Sequence, residues 1–253
     1  MKETEKNYEE RIKNGDFKNY LHGKGIDVGG GDDCLKLPPE IQGTVKLWDV
    51  FDGDAQYLHK LQDNSFDFVY SSHCLEHMRD INTALMNWIR VCKEGGILYI
   101  CVPHEAYYEK GIWPSVNNKD HKHSFTVNEK SNMPANVVVT EFLSRFAQWI
   151  DVIAIRENLM NYHFDWPKNI DQTAVTDENI CAQIDIIMQK VKNGSSEGEL
   201  SSEWRKQNTI NWLKDYWSIM FLIQVKQVIW NMTPQPILTM LRYIKRRFKG
   251  RSK

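Results

Sequence analysis

No two cysteines in this chain stand in a CxxC pair. The five present, Cys34, Cys74, Cys92, Cys101 and Cys181, are odd in number and scattered through 253 residues. That excludes a disulfide framework and a cysteine-rich zinc site, and it fits a reducing compartment. Also missing is any window of about 18 uninterrupted apolar residues, so no spanning helix is expected. The opening MKETEKNYEERIKNGD is charged throughout and lacks the apolar core of a signal peptide. A cytoplasmic location is the expectation. Nor is there a positive excess to meet nucleic acid. The net charge is −1, and seven cations from Arg242 to Lys253 leave residues 1–241 at −8. An acidic body with a basic tail is not the footprint of a nucleic-acid binder. At 42% hydrophobic and 26% charged residues, the chain reads as one globular domain with an appendage.

What is present centres on Gly25 to Asp33, reading GIDVGGGDD. Ile26-Asp27-Val28 has the character of a buried strand's end. Gly29, Gly30 and Gly31 then remove three side chains in a row, so the backbone can turn sharply against a ligand. Asp27, Asp32 and Asp33 crowd this turn and would repel a pyrophosphate. A ligand carrying an ammonium and a sulfonium would be attracted instead. The dinucleotide fingerprint also needs glycine at position 34, where this chain has Cys34.

Residues 3–20 read as a polar helix and lead-in anchored by Tyr8, Ile12 and Phe17. The run Thr44 to Asp49 is a second strand, ending on an acid 18 residues beyond Gly31. A carboxylate there can accept from both hydroxyls of a ribose, in NAD and in S-adenosyl ligands alike. Gln56 to Leu61 looks helical. Phe66 to Tyr70 alternates as a strand and runs into Ser71-Ser72-His73-Cys74-Leu75-Glu76-His77. Leu85, Trp88, Ile89 and Cys92 have helical spacing within 82–92, and Gly95-Gly96 stops that helix before the apolar strand 97–102. A β-α-β-α-β alternation with continuous apolar strands means a parallel sheet covered on both faces. Ligands of such sheets sit beyond the strands' carboxyl ends, where Gly29 to Gly31, Asp49, Ser71 to His73 and His104 all fall. Further on, 140–149 reads as an amphipathic helix, and 152–155 and 182–188 as closing strands, the final pair antiparallel.

The order GIDVGGGDD, LWD, GDA, FDFVYSSHCLEHM, KEGGILYICVPHE resembles the class I S-adenosylmethionine-dependent methyltransferases of small bacterial type, over roughly residues 20–192. The resemblance implies a Rossmann-like, seven-stranded, mostly parallel sheet with helices on both faces. It implies S-adenosyl-L-methionine as cofactor and direct displacement of its methyl group by an oxygen, or less readily a nitrogen, of a small acceptor. By the same resemblance Gly29, Gly30 and Gly31 lie under the methionine part and Asp27 near its amino end. Asp49 holds the ribose, Asp54 and Ala55 meet the adenine edge, and Ser71, Ser72 and His73 line the cofactor. Two positions depart from the pattern: Asp33 replaces the third loop glycine, and Glu94 the proline before the double glycine. Relatives of this kind resemble tailoring enzymes of bacterial surface polysaccharides, including O-methyl and phosphoramidate decorations. The contrasting readings are a nicotinamide dehydrogenase and a non-catalytic protein that keeps the fold as a membrane-surface partner.

His73 to His77 also fits H-x-x-E-H, an inverted zinc-peptidase pattern. Zincin ligands sit inside a helix, whereas this string follows directly from a strand. Glu76 and His77 therefore read as a packed loop pair, and no metal is expected. The acceptor side is expected in the aromatic segment from His104 to Phe125, with His104, His121 and His123 as candidate general bases. Residues 1–192 form the expected cofactor-binding domain, and 193–253 a linker with a C-terminal helical, basic extension. That extension reads as a lid packed on the core or on a second subunit, or as a helix making peripheral contact with an anionic membrane.

Overall fold

The computed structural model describes residues 2–175 and 178–191. The extension expected over 193–253 lies outside the described residues. Six strands form the main sheet: β1 (Gly23–Val28), β2 (Gly43–Trp48), β3 (Phe66–Ser72), β4 (Cys92–Pro103), β7 (Ile150–Asn158) and β8 (Gln183–Lys190). Their order is β2-β1-β3-β4-β8-β7, with β8 antiparallel to both its neighbours and the first four strands mutually parallel. The short strands β5 (Ser124–Thr126) and β6 (Asn136–Val138) pair separately, in parallel. This is the Rossmann-like arrangement expected, with six strands in place of seven. Among the described residues no seventh strand extends the sheet beyond β2, because residues 49–65, between β2 and β3, form turns and irregular chain.

That connection also corrects the helix expected over 56–61. Side chains of helix α4 (Ile81–Val91) take most of its carbonyls, and its own amides add only turn bonds, such as Leu61 to the Leu58 carbonyl. Trp88 Nε1 donates to the Ala55 carbonyl at 2.9 Å, Asn87 Nδ2 to that of Gln56, and Arg90 to those of Tyr57, Leu58 and Leu61. Carbonyls already satisfied by a neighbour give little drive for a local helix. Helix α4 starts as its sequence suggests, with Asp80 accepting from the amides of Asn82 and Thr83. It ends at Val91, before the double glycine. Gly95 and Gly96 fall inside β4, where a bulge opposite Phe66–Phe68 absorbs residues 93–96. Gly95 turns at φ 71° there. The helix expected over 140–149 shortens to α5 (Val139–Ser144) followed by turns.

The glycine turn leads into no helix: residues 29–42 are irregular. The sheet face such a helix would cover is taken by the N-terminal segment, whose single expected helix is three short ones: α1 (Glu3–Lys6), α2 (Tyr8–Lys13) and α3 (Asp16–Asn19). Phe17 and Leu21 join Leu35, Phe68, Tyr70, Ile97, Tyr99, Cys101 and Ile187 in the core on that face. Ile12, an expected anchor, is exposed, while Glu3, Thr4, Asn7, Arg11 and Asp16 are buried. The inversion follows from what the sheet presents. Arg11 lies 5.0 Å over the Tyr70 ring and 5.7 Å from that of Tyr99. Tyr99 donates to Asp16 at 2.9 Å, and Asn158 donates to Asn7 at 2.8 Å. Replacing Arg11 with Ala removes a desolvated cation from two ring faces and leaves a hole. It should lower stability in urea denaturation by about 2–4 kcal/mol, with Lys restoring only part.

Candidate functional site

The crossover from β1 out to β2 and back to β3 makes a topological switch point, and a cavity of about 670 Å³ opens there. Its wall is built from separate strand ends. Gly29 follows β1; Asp49 and Val50 follow β2, with Gly53, Asp54 and Ala55 in the next loop. His73, Cys74, His77 and Met78 follow β3, and Asp120 arrives from the acceptor-side segment. The volume is of the size that takes a nucleoside-like ligand.

Five expected cofactor residues are on this wall: Gly29, Asp49, Asp54, Ala55 and His73. Asp27, Gly30, Gly31, Ser71 and Ser72 are not among its lining residues. Asp27 is fully buried, and its Oδ2 accepts from the Leu35 amide at 2.7 Å, which draws the loop back on itself. Its Oδ1 has no hydrogen-bond partner. Ser71 donates to the Val28 carbonyl at 2.9 Å and ties β3 to β1. The glycines matter sterically. Gly29 has φ 82°, and a Cβ there would stand 2.5 Å from Cys74 Sγ; one at Gly30 would stand 2.6 Å from Asp27 Oδ2. Asp33, where the resembled pattern has a glycine, accepts from the Thr4 and Glu5 amides at 2.6 and 3.1 Å. It thereby caps α1 and fastens the N-terminal segment to the glycine loop. Asp54 is already engaged, accepting from the Gln56 amide and from Arg79.

The three candidate bases are held as follows. His104 Nδ1 accepts from the Ala106 amide, so Nε2 carries the proton and donates to Glu157 at 2.8 Å. His123 Nε2 donates to the Met78 carbonyl at 3.0 Å. His121 is buried and donates through Nδ1 to Glu109 at 2.5 Å. None of the three lines the cavity. Residues that sequence reasoning did not assign to the wall are Val50, Gly53, Cys74, His77, Met78 and Asp120. The signal for several was available, because they directly follow the strand ends already named.

Two buried carboxylates close in sequence to the wall residues are electrostatically unusual. Burial pushes Asp27 up to about 7 and Glu76 up to about 8. Burial also pushes His73 and His77 below the ordinary imidazole value, keeping both neutral near pH 7.

Residues 34–100 match a family model described as a methyltransferase domain. The match runs from the loop after the glycine turn through β2, β3 and α4 into β4, so it contains the cavity walls at β2 and β3. A methyltransferase domain of this fold uses S-adenosylmethionine, and the residues present fit that ligand in the side-chain-free glycine turn, the strand-end Asp49 and the cavity's size. Similar solved structures include a SAM-dependent methyltransferase from Archaeoglobus fulgidus at 18% identity, covering 75% of this chain and 94% of that one, with TM-score 0.47. Another, from Methanosarcina mazei, is 15% identical, covers 70% of this chain and 97% of that one, and has TM-score 0.46. No curated protein matches the chain.

Asp27 makes stability depend on pH. Its folded-state value lies above the ordinary 3.8, so the native protein binds this proton more tightly than the unfolded chain. The contribution is fully present below about pH 4 and is lost as pH rises through about 7, with an amplitude of up to about 4 kcal/mol. Asp27→Asn cannot ionise. Urea unfolding at about pH 5 and about pH 8 should therefore show a smaller loss of stability in the variant than in the wild type. Equal losses in both proteins would assign the dependence elsewhere.

Proposed function

We propose that this chain binds S-adenosylmethionine in the switch-point cavity and transfers its methyl group to an oxygen of a small acceptor. One observation carries the reading. Gly29, Asp49, Asp54, Ala55 and His73, expected at the cofactor from separate stretches of sequence, stand on one wall of one cavity. When bound, the cofactor supplies an electrophilic methyl carbon on a sulfonium. The chain's own residues do the positioning. Asp49, beside the glycine turn, would take the ribose hydroxyls, and the backbone at Ala55 the adenine edge. Val50 is exposed on the wall, and Phe51 next to it is 97% exposed, which leaves apolar surface beside Asp49 for a flat ring. Holding two reactants in line and excluding water is sufficient to account for a large acceleration.

The acceptor is met by the segment from His104 to Phe125, which sends Asp120 to the wall. A sugar or phosphoramidate precursor of a bacterial surface polysaccharide is the class we propose, supported by the sequence resemblance. The protein acts in the cytoplasm, and the basic tail from Arg242 contacts an anionic membrane surface. Among the described residues no helix is long and apolar enough to cross a membrane.

S-adenosylmethionine and its demethylated product should each raise the melting temperature, and Asp49→Ala should remove that shift. Stabilisation by NADH with none by the S-adenosyl ligands would sink the reading. A histidine acting as general base would lose about 10²–10⁴ in turnover on replacement by Ala. His104 and His123 each have a ring nitrogen committed to a structural partner and lie off the wall. His104→Ala and His123→Ala should therefore keep turnover within about tenfold of wild type. A drop of a hundredfold or more at either one, with cofactor affinity intact, would restore it as the base.

A further inference from the structure

Glu76 and His77 of the H-x-x-E-H string pack against each other, and two further histidines meet the same carboxylate. Glu76, in the 3₁₀ turn Leu75–His77, has no exposed surface, and neither of its carboxylate oxygens has a hydrogen-bond partner. An ionisable group buried that way is costly unless something of opposite charge reaches it. Three imidazole nitrogens face its Oε1, each at 3.7 Å: Nδ1 of His73, Nε2 of His77 and Nε2 of His121. At that separation no N–H···O bond forms.

The far side of each ring explains why. His77 Nδ1 donates to Asp120 Oδ2 at 3.0 Å, and His121 Nδ1 donates to Glu109 Oε1 at 2.5 Å. His73 Nε2 donates to Gln183 Oε1 at 3.2 Å, whose amide is turned to Asp185. With the outer nitrogen of each ring donating to its own partner, the inner nitrogens of all three converge on one carboxylate oxygen. Imidazole nitrogens and a carboxylate gathered around one point are the donor set a metal ion takes. Carboxylate-oriented imidazoles are also the outer support that metal-binding histidines use.

We propose that Glu76, His77 and His121 bind a divalent first-row transition-metal ion, with His73 beside the remaining position on the cavity side. The donor atoms of the first three lie within 4.8 Å of one another. Ligands about 2.0–2.2 Å from a four-coordinate ion stand about 3.3–3.5 Å apart, so only a small contraction is needed. Two imidazoles and one carboxylate suit zinc or iron(II), and three protein ligands leave a position open. His73 carries a left-handed backbone, φ 53°, uncommon for a side-chain-bearing residue and frequent where a functional group is held in place. His73, His77 and Asp120 line the cavity, so the open position faces it. There the ion would take an anionic oxygen of the acceptor and lower the pKa of its hydroxyl. This last step rests on the methyltransferase reading; the metal site itself does not.

The test uses the full-length, tag-free chain, stripped with chelator and then equilibrated with Zn²⁺ or Co²⁺. Elemental analysis after gel filtration should give about one equivalent, and Zn²⁺ at about a hundred times its Kd should raise the melting temperature by about 5–10 °C. Glu76→Gln, His121→Ala and the partly buried His77→Ala should each lose the bound metal, while exposed His22→Ala keeps it. His77→Ala guards against loss through misfolding, and far-UV circular dichroism with a cooperative urea transition checks that each variant is folded. Azide should alter the visible spectrum of the Co²⁺ form if a position is open. Absence of stoichiometric metal, or binding unchanged in all three variants, overturns the site. Metal binding with no spectral response to azide overturns its role toward the acceptor. Because metal content is read without the cofactor, failure of S-adenosyl binding would strike the methyltransferase reading alone.

Discussion

The hydrogen bond from the Leu35 amide to buried Asp27 is the constraint on which the site depends. A glycine turn is free to wander unless something holds its far end, and here no helix follows to do so. Asp27 supplies that hold from within β1. Asp33 adds a second, fastening α1 to the same loop through two amides. With the loop held at both ends, Gly29 stays where a side chain would collide with Cys74, and the cavity floor stays open.

The N-terminal helices can then be understood as a substitute layer. With Leu35, Leu37 and Ile41 of the irregular stretch 29–42 they cover one sheet face, and they do so with a polar underside. Arg11 over two tyrosines, Asp16 beneath Tyr99 and Asn7 against β7 and β8 use hydrogen bonds and ring faces where most domains use aliphatic packing. Polar contacts are directional, so this layer has a defined register over the sheet. Helix α4 performs the matching task on the opposite side. By satisfying the carbonyls of 55–61 it fixes the loop that carries Asp54 and Ala55. Two layers of polar contacts thus position a site that strand ends only approximate.

Buried acids near the site link fold to chemistry. Asp27, Glu76 and Glu109 each keep a carboxylate oxygen buried without a hydrogen bond. For the cluster around Glu76 we propose a metal ion.

The parallel β1–β4 core, the antiparallel β8 and the places of Gly29, Asp49, Asp54, Ala55 and His73 were legible in the sequence. They follow from local signals: continuous apolar runs, a triple glycine, and acids at strand ends. Such patterns report on what a residue does within its own few neighbours. Tertiary structure alone decided the rest. It turned 56–61 away from a helix because carbonyl partners came from α4, and it buried Arg11 while exposing Ile12 because Tyr70 and Tyr99 met the segment from the sheet. It also brought His121 against Glu76, 45 residues apart in the chain, and gave each ring the partner that sets its tautomer. No spacing rule encodes those contacts, because each depends on a surface that exists only once the sheet has formed.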